Sequence, residues 1–288
     1  MARAVRIAAA LVVLVSTSFA ALAGTTLADR DRASARSHHK VWPRLAYPPA
    51  RDIRRAAEIA EARGDIAFAL IDSSVGLRGY DADRAYSSAS VSKALLLAAE
   101  LRRLERDHEP LDGATKALLE PMITYSDNRA AEAIYARVGD AGLEEVAARA
   151  GMRSFQAVPG FWGGDKVTAA DLARFFYRLD ANLPRRYRRY GKSLLARIAP
   201  VERWGIPQET GRGWSIWFKG GWRPAGQEQT SGPVTHQAAL LVHRSGERVA
   251  LAVLTAEAPG AGGIALVEEI AGTLLRRPPP HRGGWLAP

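Results

Sequence analysis

Apolar residues recur first at helical spacing, at Ile53, Ala56, Ala57, Ile59 and Ala60, and then run together from Ile66 to Ile71 before Asp72. Spacing of three and four residues marks one face of a helix; a short apolar run ending at a polar residue marks a buried strand. Leu77 to Asp81 has the length of a hairpin partner for that strand. Val91 to Leu104 is helical again, with Leu95, Leu96 and Ala99 on its apolar face, and helical patterns follow over Arg129–Val138, Leu143–Ala150, Ala169–Leu179 and Arg188–Ile198. Thr168 stands as an N-cap with Asp171 at the third helical position. Trp214–Lys219, Gln237–His243 and Arg248–Thr255 read as strands, the last two joined by the turn Arg244-Ser245-Gly246-Glu247, and Ala261–Leu275 closes as a helix.

Short strand pairs at the two ends of a chain are not stable alone. The pattern therefore predicts one antiparallel sheet built from both ends, terminal helices over one face, and a central run of helices forming an all-helical half. This is an α+β architecture, with the cleft between the halves as the natural ligand site.

The chain ends change the picture of where the protein works. Arg3 and Arg6, an apolar stretch from Ile7 to Val15, and Ala21-Leu22-Ala23 have the layout of a Sec-type signal peptide, so residues 1–23 are expected to be a secretory segment. Ala28 to Pro49 is charged, polar and proline-bearing, so 24–50 is expected to be a flexible linker. Arg276-Arg277-Pro278-Pro279-Pro280 stops a helix and opens a disordered tail over 276–288, which leaves 51–275 as the folded domain. A secreted, periplasmic or wall-associated location follows.

Net charge is +10, or +8 without Arg3 and Arg6, which favours anionic wall polymers as partners. The dense patch Arg185-Arg186-Tyr187-Arg188-Arg189 reads as a solvated helix face, and an exported chain is not expected to bind nucleic acid. The absence of cysteine excludes disulfides and thiolate chemistry. His38, His39 and His281 fall in the expected tails, and His108, His236 and His243 lack ligand-like spacing, so neither a metal nor any other cofactor is expected. His236, just before a strand lining the cleft, reads as a surface or strand-start histidine, with contact to substrate as the alternative; Trp214, Trp217 and Trp222 read as core or cleft wall.

Three short motifs carry the chemistry. Ser90 and Lys93, three apart, share one helical face. A serine hydroxyl becomes a nucleophile when a base takes its proton, and a lysine serves as that base when burial or a neighbouring cation lowers its pKa. Taken alone, the pair is equally an N-cap serine and a solvated lysine. Ser126-Asp127-Asn128 lies just before a helix, where it caps the helix or presents Ser126 and Asn128 to a substrate. Lys219-Gly220-Gly221 ends a tryptophan-rich strand, either as an edge lysine before a turn or as a cation and a glycine edge that a substrate backbone can approach.

The order S-x-x-K, S-D-N and lysine-glycine resembles the class A β-lactamases and related penicillin-recognising serine hydrolases. The likeness spans about Arg51 to Leu275. It implies the β-lactamase/transpeptidase-like fold, with Ser90 as nucleophile, Lys93 as base and Ser126 as proton relay to the leaving nitrogen. It also implies substrate binding by Asn128, Lys219, Gly221 and Trp222, with the Trp222 and Ser90 amides forming an oxyanion hole. The implied partner is a small-molecule β-lactam or a peptidoglycan peptide, met by a monomer.

Two departures stand out. The family resemblance implies a glutamate on the loop after S-D-N that activates the deacylating water, yet no glutamate occurs from Val146 to Val201, and Asp165 is the sole carboxylate of Pro159–Thr168. The hydroxyl residue that follows the lysine in the third motif is replaced by Gly220, with Thr235 or Arg223 as candidate substitutes. The expectation is therefore a secreted serine hydrolase that acylates Ser90 and deacylates weakly. A D-alanyl-D-alanine peptidase is one alternative, and a non-catalytic wall-binding or sensing module is another.

Overall fold

The computed structural model describes residues 46–224, 232–257 and 262–276; the expected signal segment, most of the linker and nearly all of the tail lie outside them. No helix among the described residues is long and apolar enough to cross a membrane.

Five strands form one antiparallel sheet: β1 (Ile66–Asp72), β2 (Gly76–Tyr80), β5 (Trp214–Arg223), β6 (Val234–His243) and β7 (Arg248–Thr255), in the order β2-β1-β7-β6-β5. The chain ends meet where expected, with Ile66 opposite Thr255 and Asp72 opposite Val249. β1, β6 and β7 are buried on both faces, which is why they read as continuous apolar runs rather than alternating ones. Helices α1 (Ala50–Arg63) and α8 (Gly263–Leu275) pack on each other and on the sheet, and α5 (Ala169–Tyr177) also packs on β1, β6 and β7. The linker expected to run to residue 50 is anchored earlier: the Tyr47 ring is buried and its hydroxyl donates to the Leu275 carbonyl at 3.2 Å.

The helical half comprises α2 (Lys93–Arg106), α3 (Gly113–Thr124), α4 (Asn128–Ala150), the short α6 (Leu179–Asn182) and α7 (Arg188–Ala196). α2 runs through its centre with Leu95, Leu96 and Leu97 fully buried. Gly139 interrupts α4 with φ 60° and ψ −173°, which agrees with two helical patterns separated near Val138. α3 was not legible from spacing; its signal is Asp112, whose side chain accepts the Thr115 N–H at 2.7 Å as an N-cap. The arginine patch at 185–189 is not one helix face. Arg185 and Arg186 lie in a turn, Tyr187 is buried, and α7 begins only at Arg188.

A second, two-stranded sheet pairs β3 (Ala85–Ser87) with β4 (Lys166–Thr168). These strands are too short to show a period. They fasten the loop before β4 to the segment leading into Ser90.

Candidate active site

Ser90 lies in a 3-10 turn, Ala89–Ser92, that leads directly into α2 at Lys93. Ala89 has φ 47° and Ser126 φ 60°, two of four non-glycine residues with positive φ among the described residues. Left-handed backbone at such residues is costly and persists where the surroundings enforce it. Here both strained residues adjoin or belong to the chemical motifs. Asp127 caps α4 by accepting the Ala130 N–H at 2.7 Å, which fixes the turn that presents Ser126 and Asn128.

Lys93 is the hub. Its Nζ donates to Ser90 Oγ at 2.9 Å, to the Ser126 carbonyl at 2.6 Å and to Asn128 Oδ1 at 2.6 Å, with Ser126 Oγ at 3.3 Å. From the other side Lys219 Nζ donates to Ser126 Oγ at 3.0 Å and to the Gly220 carbonyl at 2.8 Å. Both lysines are fully buried. Burial, and next the charge of Lys219, lowers the Lys93 pKa to about 7; burial lowers Lys219 to about 8. A lysine at about 7 is half neutral near neutral pH, which a general base requires.

The third motif lies inside β5 rather than at its end: Gly220 pairs with Gln237 and Gly221 with His236. β5 is an edge strand, so its open side borders the cleft. A Cβ at Gly221 would lie 2.6 Å from the amide nitrogens of both Ser90 and Val91, so only glycine lets this strand approach Ser90 so closely. Trp222, which follows, is about half exposed.

The loop before β4 puts Trp162 against the site. Its indole N–H donates to Glu132 Oε1 at 2.8 Å, its carbonyl accepts Ser88 Oγ at 3.0 Å, and Lys93 Nζ lies 5.0 Å from its ring centroid. Glu132 was missed by sequence reasoning although its signal was present: it lies four residues after Asn128, one turn along the same helical face.

Asp165 is fully buried. Its Oδ1 accepts the Val158 N–H at 3.0 Å, its carbonyl accepts the Ser88 N–H at 2.7 Å, and burial raises its pKa to about 7. It organises the loop, and none of its bonds is to a motif residue. The two candidate substitutes for the lost hydroxyl are also engaged elsewhere. Arg223 donates to Ser87 Oγ at 2.5 Å, and Thr235 Oγ1 donates to the Glu257 carbonyl at 2.7 Å. His236 is buried rather than at the surface. Its Nε2 bonds the Ser87 carbonyl at 3.0 Å, its Nδ1 accepts the Thr255 N–H at 3.3 Å, and burial lowers its pKa to about 4.

A family model described as the β-lactamase enzyme family matches residues 107–277, more than half of the chain. No curated protein matches. Among solved structures, PBP-A is similar at 18% identity and TM-score 0.67, over 80% of this chain and 96% of its own; a variant of PBP-A was solved as an acyl-enzyme with penicillin G. A class A β-lactamase from Bacteroides cellulosilyticus aligns at 14% identity and TM-score 0.66, over 78% of this chain and 96% of its own. The class A β-lactamase of the last common ancestor of Gram-negative bacteria aligns at 23% identity and TM-score 0.64, over 78% and 98%. These likenesses give the fold, and the family match gives the relationship: the chain belongs to the β-lactamase enzyme family and is a serine hydrolase of that fold.

Proposed function

We propose that the protein is an exported acyl-transferring hydrolase that opens a β-lactam or related amide on Ser90 and releases the acyl group slowly. The observation that carries this reading is the buried Lys93 ammonium 2.9 Å from Ser90 Oγ, with its pKa lowered to about 7. Neutral Lys93 takes the Ser90 proton as Oγ attacks the carbonyl carbon. Ser126, held by Lys219, returns a proton to the departing nitrogen as the amide bond breaks.

The oxyanion falls between the Ser90 and Trp222 amides. In an antiparallel pair, alternate residues turn their N–H and C=O toward or away from the partner strand. The Gly220 carbonyl accepts Lys219 Nζ, so the backbone groups of Gly220 face away from β6, and those of Trp222, two residues on, do likewise.

Slow release follows from what surrounds Lys93. Its bonds go to hydroxyls, a carbonyl and an amide, and the Trp162 indole covers it with no loop carboxylate in hydrogen-bond contact. Export is part of the reading on the strength of the pattern Arg3, Arg6, Ile7–Val15 and Ala21–Ala23. A lysine so finely placed on Ser90 argues against a non-catalytic module. The test is intact-protein mass spectrometry after incubation with a penicillin: an adduct on Ser90 that persists for minutes or longer is expected. Fast hydrolysis without an adduct removes the slow-release claim, and an unlabelled, inactive protein removes the acylation claim.

A further inference from the structure

The wall beside Lys219 is built differently from a carboxylate-binding wall. Gly220 opposes Gln237 across β5 and β6, and opposed residues of an antiparallel pair put their side chains on one face. Gln237 uses its amide to hold the chain above that face, donating from Nε2 to the Trp204 carbonyl at 2.7 Å and accepting the Ile206 N–H at Oε1 at 2.5 Å. The Trp204 indole fills the space that a side chain at 220 would take: a Cβ there would lie 2.8 Å from Cζ2 and 3.2 Å from Cη2. Gly220 and Trp204 are therefore one packing solution, and the lost hydroxyl is replaced by an aromatic surface.

Just before Trp204, the turn Pro200–Glu202 is fastened to the S-D-N segment, since the Ala199 N–H donates to the Thr124 carbonyl at 2.9 Å, two residues before Ser126. Glu202 sits on this turn, and its charge acts on both Lys93 and Lys219 in the sense that favours their protonated forms. The cations nearby in sequence are engaged elsewhere. Arg203 bonds the Ala196 carbonyl at 3.4 Å and stacks over Phe218, Arg223 bonds Ser87, and the Lys219 ammonium is buried against Ser126 and Gly220. Tyr125 and Val201, next to Ser126 and Glu202 in the chain, are 67% and 79% exposed.

We infer that Glu202 and Trp204 make the leaving-group end of the cleft select substrates without a free carboxylate, namely neutral or cationic amides and esters. The inference rests on the acyl-enzyme reading above. A carboxylate on the leaving group would meet the indole of Trp204 where the third motif has lost its hydroxyl, and the negative charge of Glu202 beside it. A neutral ester or amide instead lies on Trp204, and an ammonium gains from Glu202.

The test compares benzylpenicillin with its methyl ester, following the rate at which each adds to Ser90 by intact mass and dividing by the compound's own alkaline hydrolysis rate. The ester is expected to acylate at least about ten-fold faster, and Glu202→Gln, which alters Lys93 equally for both compounds, is expected to shrink that ratio several-fold by speeding the acid more than the ester. A free acid that reacts as fast as the ester, or a ratio untouched by Glu202→Gln, overturns the inference and leaves the acyl-enzyme reading standing. If neither compound labels Ser90, the acyl-enzyme reading falls and this inference falls with it.

Discussion

The indole of Trp162 lies over the ammonium of Lys93, with Nζ 5.0 Å from the ring centroid. The ring N–H is held by Glu132, and the main-chain carbonyl of Trp162 accepts the Ser88 hydroxyl. Burial is the largest force lowering the Lys93 pKa, and the Trp162 ring is one of the groups packed over the ammonium. Trp162→Ala should admit water over Lys93 and raise its pKa. Acylation at about pH 7 should fall by roughly ten-fold and recover at about pH 9, because a neutral lysine is then formed only at higher pH. The same change should cost about 3–5 kcal/mol of stability, as large-to-small aromatic substitutions do. A pH profile identical to that of the parent protein would separate Trp162 from the Lys93 titration.

The two lysines predict a narrow pH optimum. Acylation needs Lys93 neutral and Lys219 charged, and their pKa values are about 7 and about 8. The rate of Ser90 acylation should rise through about pH 7 and fall above about pH 8, with both limbs belonging to the coupled pair. Lys219→Met should move the rising limb downfield in acidity, to higher Lys93 basicity and hence higher pH, because the Lys219 charge no longer opposes protonation of Lys93. Stability follows with a definite sign. The unfolded chain holds protons on both lysines up to about pH 10, while the folded chain releases them from about pH 7, so stability should rise with pH across that window. Urea unfolding of the parent and of Lys93→Met at about pH 7 and about pH 9 checks this: the rise should be smaller in the variant.

How much of this site was legible before the structure depends on whether each feature is carried by period or by contact. Ser90 and Lys93 were readable because helical spacing pairs them, and Asn128 because its triplet stands at a helix start. That strands from both ends of the chain share one antiparallel sheet was readable because neither terminal strand pair is stable alone; that β1 pairs with β7 was not. The end of β5 was misplaced because glycine in a strand looks like a stop, although Gly220 and Gly221 continue the ladder with Gln237 and His236. His236 was misassigned because its burial depends on Ser87 and Thr255, residues distant in the chain. The covering of Lys93 by Trp162 and the packing of Trp204 on Gly220 are contacts between separate loops, which no local period encodes.

The two glycines of the third motif should behave differently on substitution. A methyl at Gly221 meets backbone nitrogen on Ser90 and Val91, atoms that cannot move without displacing the proposed nucleophile and oxyanion donor. Gly221→Ala should therefore cut acylation by roughly 100- to 1000-fold, the loss associated with a broken oxyanion hole. A side chain at Gly220 instead meets the indole of Trp204, which is partly exposed. Gly220→Ser should be destabilising alone and better tolerated with Trp204→Ala, so the double variant should be more stable than the sum of the single changes predicts. Strict additivity of the two stability changes would show that the residues do not share the space.

Asp165 predicts a stability effect opposite in sign to that of the lysines. Its folded pKa is raised to about 7 from an ordinary value of 3.8, chiefly by burial, with Asp140 and Glu144 adding to the rise and the Val158 N–H opposing it. Between those values the unfolded chain has released the proton that the folded chain still holds, so this group lowers stability as pH rises toward 7, and the loss persists above it. Asp165→Asn keeps an oxygen for the Val158 N–H and carries no charge at any pH. The variant should be more stable than the parent at about pH 8, by on the order of 1–2 kcal/mol, with a smaller difference at about pH 5. Urea midpoints at the two pH values measure the gap. A gap of equal size at both would assign the effect to packing around residue 165, and a less stable variant at the higher pH would remove buried ionisation as its cause.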